Sequence, residues 1–552
     1  MNPGKKVIYI YITIIGLIIF GATRPSRAAD AVVGTGAPAS CTEAAFDTAL
    51  ATASAGGGTI TFNCGPAVAT IQLTLAKTIV LGDVKIDGAD RIILNAGNND
   101  RHFFAGSGIT FELRNIALRD GNSLVGGGAI EASGATVILD AVQLVNNYSS
   151  VSGGAIYCYD GELTVRDSLL ENNASGTGGA IYNDGCAATI TDSALIGNEA
   201  LDNTGRGGAI ANMMPGRLTL NDSLLQGNTG PDGGGLFNDS GATATLDNSR
   251  LLANDGGHGG GIENSGTLVA TDTLIDGNQV TGSGGGLWNL GGAAMLERVI
   301  VSNNTAYEGG GVNSYGAQLT ITQANIINNV AAGLHGGGIY HGGGTAFISN
   351  TTISGNRATD AAGNGGGIYQ NSDDNLTLTN VTVAENEAGL LGGGFYHFGR
   401  YAVLTNVTIA ANTAGAAGDA IYEDSPMTPA NPGVVQIANS VITGSANNCD
   451  GGLFDSRGHN ISHGTCAPLS DPTDLEDYGA DLQIGPLAFN GGNFAMRTML
   501  PREGSPLIDA ADVTLCPALD QRGIGREGAC DIGAAEYIAS TQQLIYLPVV
   551  IR

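Results

Sequence analysis

Short runs of alternating apolar and polar residues dominate the chain. Leu376-Thr377-Leu378 and Val381-Thr382-Val383 have the period of two that is typical of half-buried β-strands. Glycine-rich corners bound these runs, and the same phrase returns as GGGIYQ at 365–370 and GGGFYH at 392–397. This recurrence indicates a repeat architecture instead of isolated hairpins.

Two markers measure the repeat. The first is the apolar residue after each Gly-Gly-small corner, which recurs about every 26 residues at Ile130, Ile156, Ile181, Ile210, Leu236, Ile262, Leu287, Val312, Ile339, Ile368, Phe395 and Ile421. The second is an asparagine, at Asn146, Asn173, Asn198, Asn228, Asn254, Asn278, Asn303, Asn329, Asn356, Asn386 and Asn412. A polar residue precedes each asparagine by six positions: Asp140, Asp167, Asp192, Asp222, Asn248, Asp272, Glu297, Gln323, Asn350, Asn380 and Asn406.

The pattern predicts an all-β fold, a single-stranded right-handed parallel β-helix of about 12 or more coils. The apolar marker is expected to fill the bore, and the asparagines to stack as an amide ladder. In this register Asn303 belongs to the ladder and Asn304 does not. Each end exposes a strand edge that needs a cap, so Thr42 to Ser54 is expected to form a short capping helix and the far end an irregular cap.

The chain divides into five predicted regions. Residues 1–28 have the lysines, the apolar run 7–20 and the small residues of a secretory signal peptide. Residues 29–110 are the N-terminal cap and first coils, 111–445 the repeats, 446–540 a C-terminal cap and 541–552 a tail, with a Pro-rich insertion between Glu423 and Gly433. No other segment is long and apolar enough to span a bilayer, so we expect no transmembrane span in the mature chain.

Charge and cysteine content narrow the environment. The formal net charge of −28 and the scarcity of lysine argue against nucleic acid as a partner. Eight cysteines follow the export signal in four close pairs, which favours disulfides in an oxidising compartment without fixing their connectivity: Cys41, Cys64, Cys158, Cys186, Cys449, Cys466, Cys516 and Cys530.

Two segments resemble known families. The Gly-Gly-Ala-Ile motif at 127–130, 153–156, 178–181 and 207–210, with apolar-x-x-Asn motifs such as Ile409 to Asn412, resembles the repeats of polymorphic outer-membrane proteins. That resemblance implies the right-handed β-helix of the pectate-lyase-like superfold. Residues 504–537 resemble the choice-of-anchor type end domain of secreted bacterial β-helix proteins, which implies display at the bacterial cell surface.

Candidate binding residues fall into two columns. Trp288, Tyr340, Tyr369, Tyr396 and Tyr422 follow the apolar marker by one position, so they form either an exposed stripe suited to sugar rings or an internal stack. Asp140, Asp167, Asp192 and Asp222 stack at coil spacing and repel one another, so they either cap turns or bind calcium as a cofactor. His341 and His397 lie two coils apart and are expected at the surface.

Pairs of carboxylates are the candidate catalytic groups, because two carboxyls one or two coils apart could have the separation that an inverting glycosidase needs. Asp373, Asp374, Glu131 and Glu263 are possible members, and Gly257-His258-Gly259 lies inside a glycine corner. The sequence therefore predicts a secreted or cell-surface module for adhesion or glycan binding, with an extracellular polysaccharide or surface protein as partner. The alternatives are a polysaccharide lyase or glycoside hydrolase and a structural component of a surface layer.

Overall fold

A computed structural model describes residues 29–424, 433–466, 469–492, 496–526 and 528–538. The predicted signal peptide, most of the Pro-rich insertion and the tail 541–552 lie outside the described residues. Within them the chain winds as a parallel β-solenoid of about 16 turns with only 3% helix, which confirms the predicted fold class. No helix of the described part is long and apolar enough to span a membrane.

Each coil contributes three strands to one sheet of 41 strands. Equivalent strands pair in parallel from coil to coil, as Ile156 with Ile181 and Ile181 with Ile210. The first strand column holds Lys77–Ile79, Phe103–Ala105, Ile130–Ser133, Ile156–Tyr159, Ile181–Asp184, Ile210–Met213, Leu236–Asn238, Ile262–Asn264, Leu287–Leu290, Val312–Tyr315, Ile339–His341, Ile421–Glu423 and Cys449–Gly451. The second holds Ala31–Val33, Gly58–Phe62, Glu162–Arg166, Ala187–Thr191, Arg217–Asn221, Thr243–Asp247, Thr267–Thr271, Ala293–Glu297, Gln318–Thr322, Val434–Ala438 and Phe454–Ser456.

The third strand column completes this sheet with Ala69–Gln72, Leu169–Glu171, Ala194–Ile196, Leu224–Gln226, Arg250–Leu252, Leu274–Asp276, Ile300–Ser302, Asn325–Ile327, Thr408–Ala410, Val441–Asn447 and Ile461–Thr465. Six longer strands run through two or three columns: Val84–Asn95, Thr110–Arg119, Thr136–Val145, Ala346–Ser354, Ile368–Ala384 and Phe395–Thr405.

A fourth strand column forms a separate parallel sheet of 12 strands. Its members are Asn122–Ser123, Tyr148–Ser152, Ala174–Thr177, Glu199–Ala200, Thr229–Asp232, Asp255–His258, Gln279–Val280, Thr305–Ala306, Val330–Ala331, Arg357–Ala358, Glu387–Ala388 and Thr413–Ala414. The glycine corner then leads into the next first-column strand. At the first glycine of each corner the backbone has a positive φ, as at Gly365 (66°), which glycine adopts without steric cost.

The core is the bore of the solenoid. The apolar markers are fully buried there, from Ile130 to Ile421, as the alternating pattern predicts. Every second residue along the strands joins them, so the narrow core is filled coil by coil with Leu, Ile, Val and Ala. The low aromatic content of 5% is consistent with a narrow bore filled mainly by aliphatic side chains.

The asparagine ladder exists, but the predicted register is wrong at two coils. The stacked amides belong to Asn147, Asn173, Asn198, Asn228, Asn254, Asn278, Asn304, Asn329, Asn356, Asn386 and Asn412. The residue before each ladder asparagine adopts a left-handed conformation, and Asn146 (φ 56°) and Asn303 (φ 54°) occupy that position. Because asparagine tolerates both conformations, an Asn-Asn pair hides the register.

The same shift corrects the polar column. Ala141 and Arg298 occupy its left-handed turn position, both with φ 55°, in place of Asp140 and Glu297. The six-residue gap to the ladder is retained in every coil. Asp140 instead lies in the second strand column between Arg114 and Arg166, and Arg166 Nη2 donates to Asp140 Oδ2 at 2.8 Å.

The N-terminal end is closed by the predicted helix, Glu43–Ser54, which follows the short 3₁₀-helix Pro38–Ser40. The Thr42 side chain caps it by accepting from the Ala45 N–H at 3.2 Å. Phe46 is buried against Phe62 and Phe103 at the end of the bore. The strand edge at this end is therefore covered.

The C-terminal cap is irregular, as predicted, apart from an antiparallel pair of Ala488–Phe489 with Arg497–Thr498. Segment 496–534 returns along the side of the solenoid. Asn380 Nδ2 donates to the Leu519 carbonyl at 2.8 Å, and the Asp512 N–H donates to Asn439 Oδ1 at 2.8 Å. The Arg522–Asp520 ion pair, fully buried at 2.6 Å, fixes its centre.

All eight cysteines form disulfides between sequence neighbours, with no free cysteine in the described part. The pairs are Cys41–Cys64, Cys158–Cys186, Cys449–Cys466 and Cys516–Cys530. Two of these pairs lie in the C-terminal third and one beside the capping helix. Such cross-links favour an oxidising compartment.

Candidate functional site

Two columns of side chains face each other across the glycine corner. The ring column follows the bore-facing marker by one residue and so points outward. It contains Tyr157, Tyr182, Ala211, Phe237, Glu263, Trp288, Asn313, Tyr340, Tyr369, Tyr396 and Tyr422. The seam column precedes the first corner glycine and contains Arg206, Asp232, His258, Ser283, Glu308, His335, Asn364 and Leu391. We call the surface between them the seam.

Three seam residues contact the ring-column residue of the following coil. The Arg206 guanidinium lies 4.6 Å from the centre of the Phe237 ring. His258 stacks on Trp288 with ring centroids 4.3 Å apart, and His335 stacks on Tyr369 at the same distance. The seam thus combines aromatic and polar contacts on the outer face.

Glu263 occupies the ring column between Phe237 and Trp288, and the Asp232 carboxylate is near enough to act on its charge. Its side chain is 4% exposed, and Oε2 has no hydrogen-bond partner among the described residues. Burial, and then the nearby Asp232 carboxylate, raise the pKa of Glu263 to about 8, against the opposing charge of Arg206. At neutral pH this side chain is therefore mostly a neutral acid and a potential proton donor.

The tyrosines at the C-terminal end of the ring column do not form an exposed stripe. Tyr340, Tyr369 and Tyr396 are buried, and each stacks face to face on the next, with Tyr422 completing the series. They form a cluster separate from the bore, under Leu391 and beside His335. The stacked tyrosine rings cover one another's faces. In the predicted set, Trp288 and Tyr422 are half-buried.

His341 and His397 were expected at the surface, and this expectation is wrong. Both are fully buried in the bore, two positions after the marker, with Gln370 between them. Burial lowers the pKa of His341 to about 4. His397 Nδ1 lies 3.3 Å from Oε1 of the buried Glu423.

The sequence analysis missed a second amide ladder in this bore position. Asn183, Asn212, Asn238, Asn264 and Asn289 are buried, and each Nδ2 donates to the next Oδ1 at 2.7–2.8 Å up to Asn289. The signal was present, because asparagine recurs two residues after the marker in five consecutive coils. These asparagines lie two positions after the marker and one after the ring column, where alternation predicts a residue in the bore.

The acidic column and the other carboxyls lie elsewhere. Asp167, Asp192 and Asp222 line an open groove on the turn between the second and third strand columns. Glu131 pairs with Arg101, and Asp374 Oδ2 accepts from the Gly344 N–H at 2.8 Å. Within the described ranges no group of three or more His, Cys, Asp or Glu has the arrangement to hold a metal ion, and calcium binding stays a prediction.

Comparison with known proteins gives a match to a repeat family and a remote similarity to solved structures. A family model described as the Chlamydia polymorphic membrane protein repeat matches residues 142–159. This stretch runs from the third strand of one coil through the glycine corner to Tyr159. No curated protein matches the chain.

Among solved structures, the chain resembles the catalytic unit of a thermostable GH87 α-1,3-glucanase from Streptomyces thermodiastaticus strain HF3-3. The two are 14% identical, the match covers 77% of this chain and 69% of the other, and the TM-score is 0.24. A similarity of this degree carries no argument about activity.

Proposed function

We propose that the protein is an exported adhesion or glycan-binding module, displayed at the bacterial cell surface, that binds extended polysaccharide along the seam. The match to a polymorphic membrane protein repeat supports a surface location, and four disulfides support an extracellular one. In this proposal residues 446–540 act as the cap and anchor-type domain.

The observation that carries the proposal is the composition of the seam between Arg206 and Trp288. The half-buried stack of His258 on Trp288 offers its remaining apolar surface to sugar rings, while the neighbouring Asp232 and Asp239 carboxylates can accept hydrogen bonds from hydroxyl groups. These side chains are half-buried, so they are held in place yet reachable from solvent. Ligand sites combine apolar surface with a few placed polar groups in this way.

A glycan array with purified residues 29–540 tests this proposal. We expect binding to at least one extended polysaccharide class and a loss of about fivefold or more in Trp288→Ala, because truncating an aromatic side chain at a binding surface costs roughly 1–3 kcal/mol. Tyr315→Ala is the matched control, since Tyr315 is 54% exposed and lies outside the seam. A blank array would favour a structural surface-layer component and would contradict the proposal.

Glu263 favours a second candidate function, hydrolysis of the bound polysaccharide. In this reaction Glu263 donates its proton to the glycosidic oxygen as the C–O bond breaks, and Asp232 accepts a proton from the attacking water. The supporting observation is the buried, unpartnered Oε2 beside a second carboxylate. The experiment is a reducing-end release assay, in which Glu263→Gln should abolish release and retain array binding; absence of release by the wild type would exclude this candidate.

A further inference from the structure

An acidic groove of about 550 Å³ runs along the outer face of the solenoid in its N-terminal half. It lies on the turn between the second and third strand columns and does not include the seam. Its lining comprises Asp90, Ala141, Val142, Gln143, Asp167, Ser168, Leu169, Asp192, Ser193, Ala194, Asp222 and Leu224. The carboxylates of Asp167, Asp192 and Asp222 are exposed, beside the half-buried side chains of Leu169 and Leu224.

The same turn binds polypeptide in the C-terminal half of the molecule. There Asn380, Asn406 and Asn439 continue the column of Asp167, each with a left-handed backbone. Segment 496–534 covers them, and Arg526 Nη2 donates to Asn380 Oδ1 at 2.9 Å. Asn406 Nδ2 donates to the Gly533 carbonyl at 3.3 Å. This face therefore receives an irregular chain segment that carries an arginine.

Midway along the same turn column, the carboxylate of Asp272 already pairs with the guanidinium of Arg298. Arg298 Nε and Nη2 donate to the two carboxylate oxygens of Asp272 at 2.8 and 2.9 Å, one coil apart. By contrast, no salt bridge joins Asp167, Asp192 or Asp222 to another described residue. The column carries asparagines where it binds the C-terminal segment and aspartates where it lines the groove. A ligand that complements the groove should therefore be more basic than that segment.

We propose that the acidic groove binds an extended polypeptide segment of a partner protein, with arginine or lysine side chains between apolar ones. The basic side chains would pair with carboxylates that recur at the coil spacing of about 4.8 Å. The apolar ones would cover the half-buried Leu169 and Leu224. The proposal does not depend on the seam or on polysaccharide binding.

The test uses two synthetic heptapeptides, one alternating leucine with arginine and one alternating leucine with glutamate. Fluorescence anisotropy on the purified chain should show binding of the arginine peptide alone. Changing Asp167, Asp192 and Asp222 together to Asn should weaken binding by roughly 30-fold, which corresponds to about 2 kcal/mol for three exposed charged contacts. Asparagine tolerates the left-handed backbone at these positions, so folding is preserved.

Because the chain carries a net charge of −28, non-specific attraction needs a matched control. Asp202, Asp255 and Asp360 are exposed and lie outside the groove, and changing all three to Asn alters the net charge equally. We expect this triple variant to bind the arginine peptide within about twofold of wild type. Equal weakening in both triple variants would overturn the proposal.

Three further outcomes would also overturn it. Binding of chitosan oligomers without the arginine peptide would assign the groove to a cationic polysaccharide. Calcium uptake that the groove variant abolishes, without peptide binding, would make it a metal site. Self-association that the groove variant abolishes, again without peptide binding, would make the occupant a second copy of the chain.

Discussion

Some positions of the repeat have the same residue type in every coil, and others vary, and the contacts of single residues explain the difference. Each ladder amide has three roles: Asn173 Nδ2 donates to Asn198 Oδ1 and to the Leu144 carbonyl, and Asn173 Oδ1 accepts from Asn147. No other side chain supplies both a donor and an acceptor at this reach. The preceding left-handed position only needs a tolerated φ, so it accepts Asn, Gly, Ala or Glu.

The corrected register gives the first residue-scale prediction. Asn304→Ala should destabilise the protein by about 2–3 kcal/mol, because it leaves buried backbone groups and neighbouring amides unpaired. Asn303→Ala should cost less than about 1 kcal/mol, since Asn303 is exposed and its main requirement is a left-handed backbone. Urea unfolding of both variants measures the difference, and equal costs would contradict the ladder assignment.

Glu263 gives the second residue-scale prediction. Its folded pKa of about 8 exceeds that of an unfolded glutamate, so folding binds a proton more tightly. Stability is retained below about pH 4 and lost as pH rises through 8. Glu263→Gln should therefore match wild type near pH 4 and be more thermostable at pH 8 to 9. A constant difference in Tm across this range would show that Glu263 is not held neutral.

At the scale of elements, the sequence predicts the strands, the capping helix and the repeat period. It does so because alternating runs and glycine corners depend on local backbone conformation. It fails where two assignments satisfy the same local rule. Asn146 and Asn147 both fit a turn. Alternation places His341, two positions after the marker, in the bore, whereas the polarity of histidine favours the surface. The outward Tyr340 stack is buried by a loop residue such as Leu391 from another part of the coil, which strand periodicity does not encode.

The capping helix offers a prediction at this scale. Glu43 accepts from Lys77 Nζ at 2.7 Å and from the Thr74 N–H at 2.8 Å, tying the helix to the first coils. Burial opposes ionisation, but these donors outweigh it and lower the pKa of Glu43 to about 2. Because the folded pKa is depressed, this stabilisation is present above the unfolded pKa and is lost as pH falls towards 2.

Glu43→Gln should therefore lower the Tm at pH 7, and its difference from wild type should vanish near pH 2. Thermal unfolding by circular dichroism measures the effect, with Glu476→Gln as a control on an exposed glutamate. A deficit of the same size at both pH values would mean that Glu43 acts through packing and not through its charge.

At the scale of the whole molecule, the same turn column has different uses along the rod. The C-terminal segment covers it near Asn380 and Asn439, and the groove leaves it open near Asp192. The sequence predicts that the column exists and that the far end is irregular. It does not predict which coils the returning segment covers, because contacts such as Thr352 to Arg497 join residues far apart in the chain.

Loosening the returning segment should therefore act on some coils and spare others. Arg522 is buried, pairs with Asp520 and donates to the Glu536 carbonyl at 2.7 Å, so Arg522→Ala leaves a buried carboxylate unpaired at a cost of about 3–5 kcal/mol. A solenoid coil contacts only its neighbours. Hydrogen exchange should consequently rise across turns 350–441 and in 496–534, and stay unchanged in coils 130–300. Arg457→Ala, at an exposed ion pair, is the control, and a uniform rise along the whole rod would show that the segment supports global stability and not these coils alone.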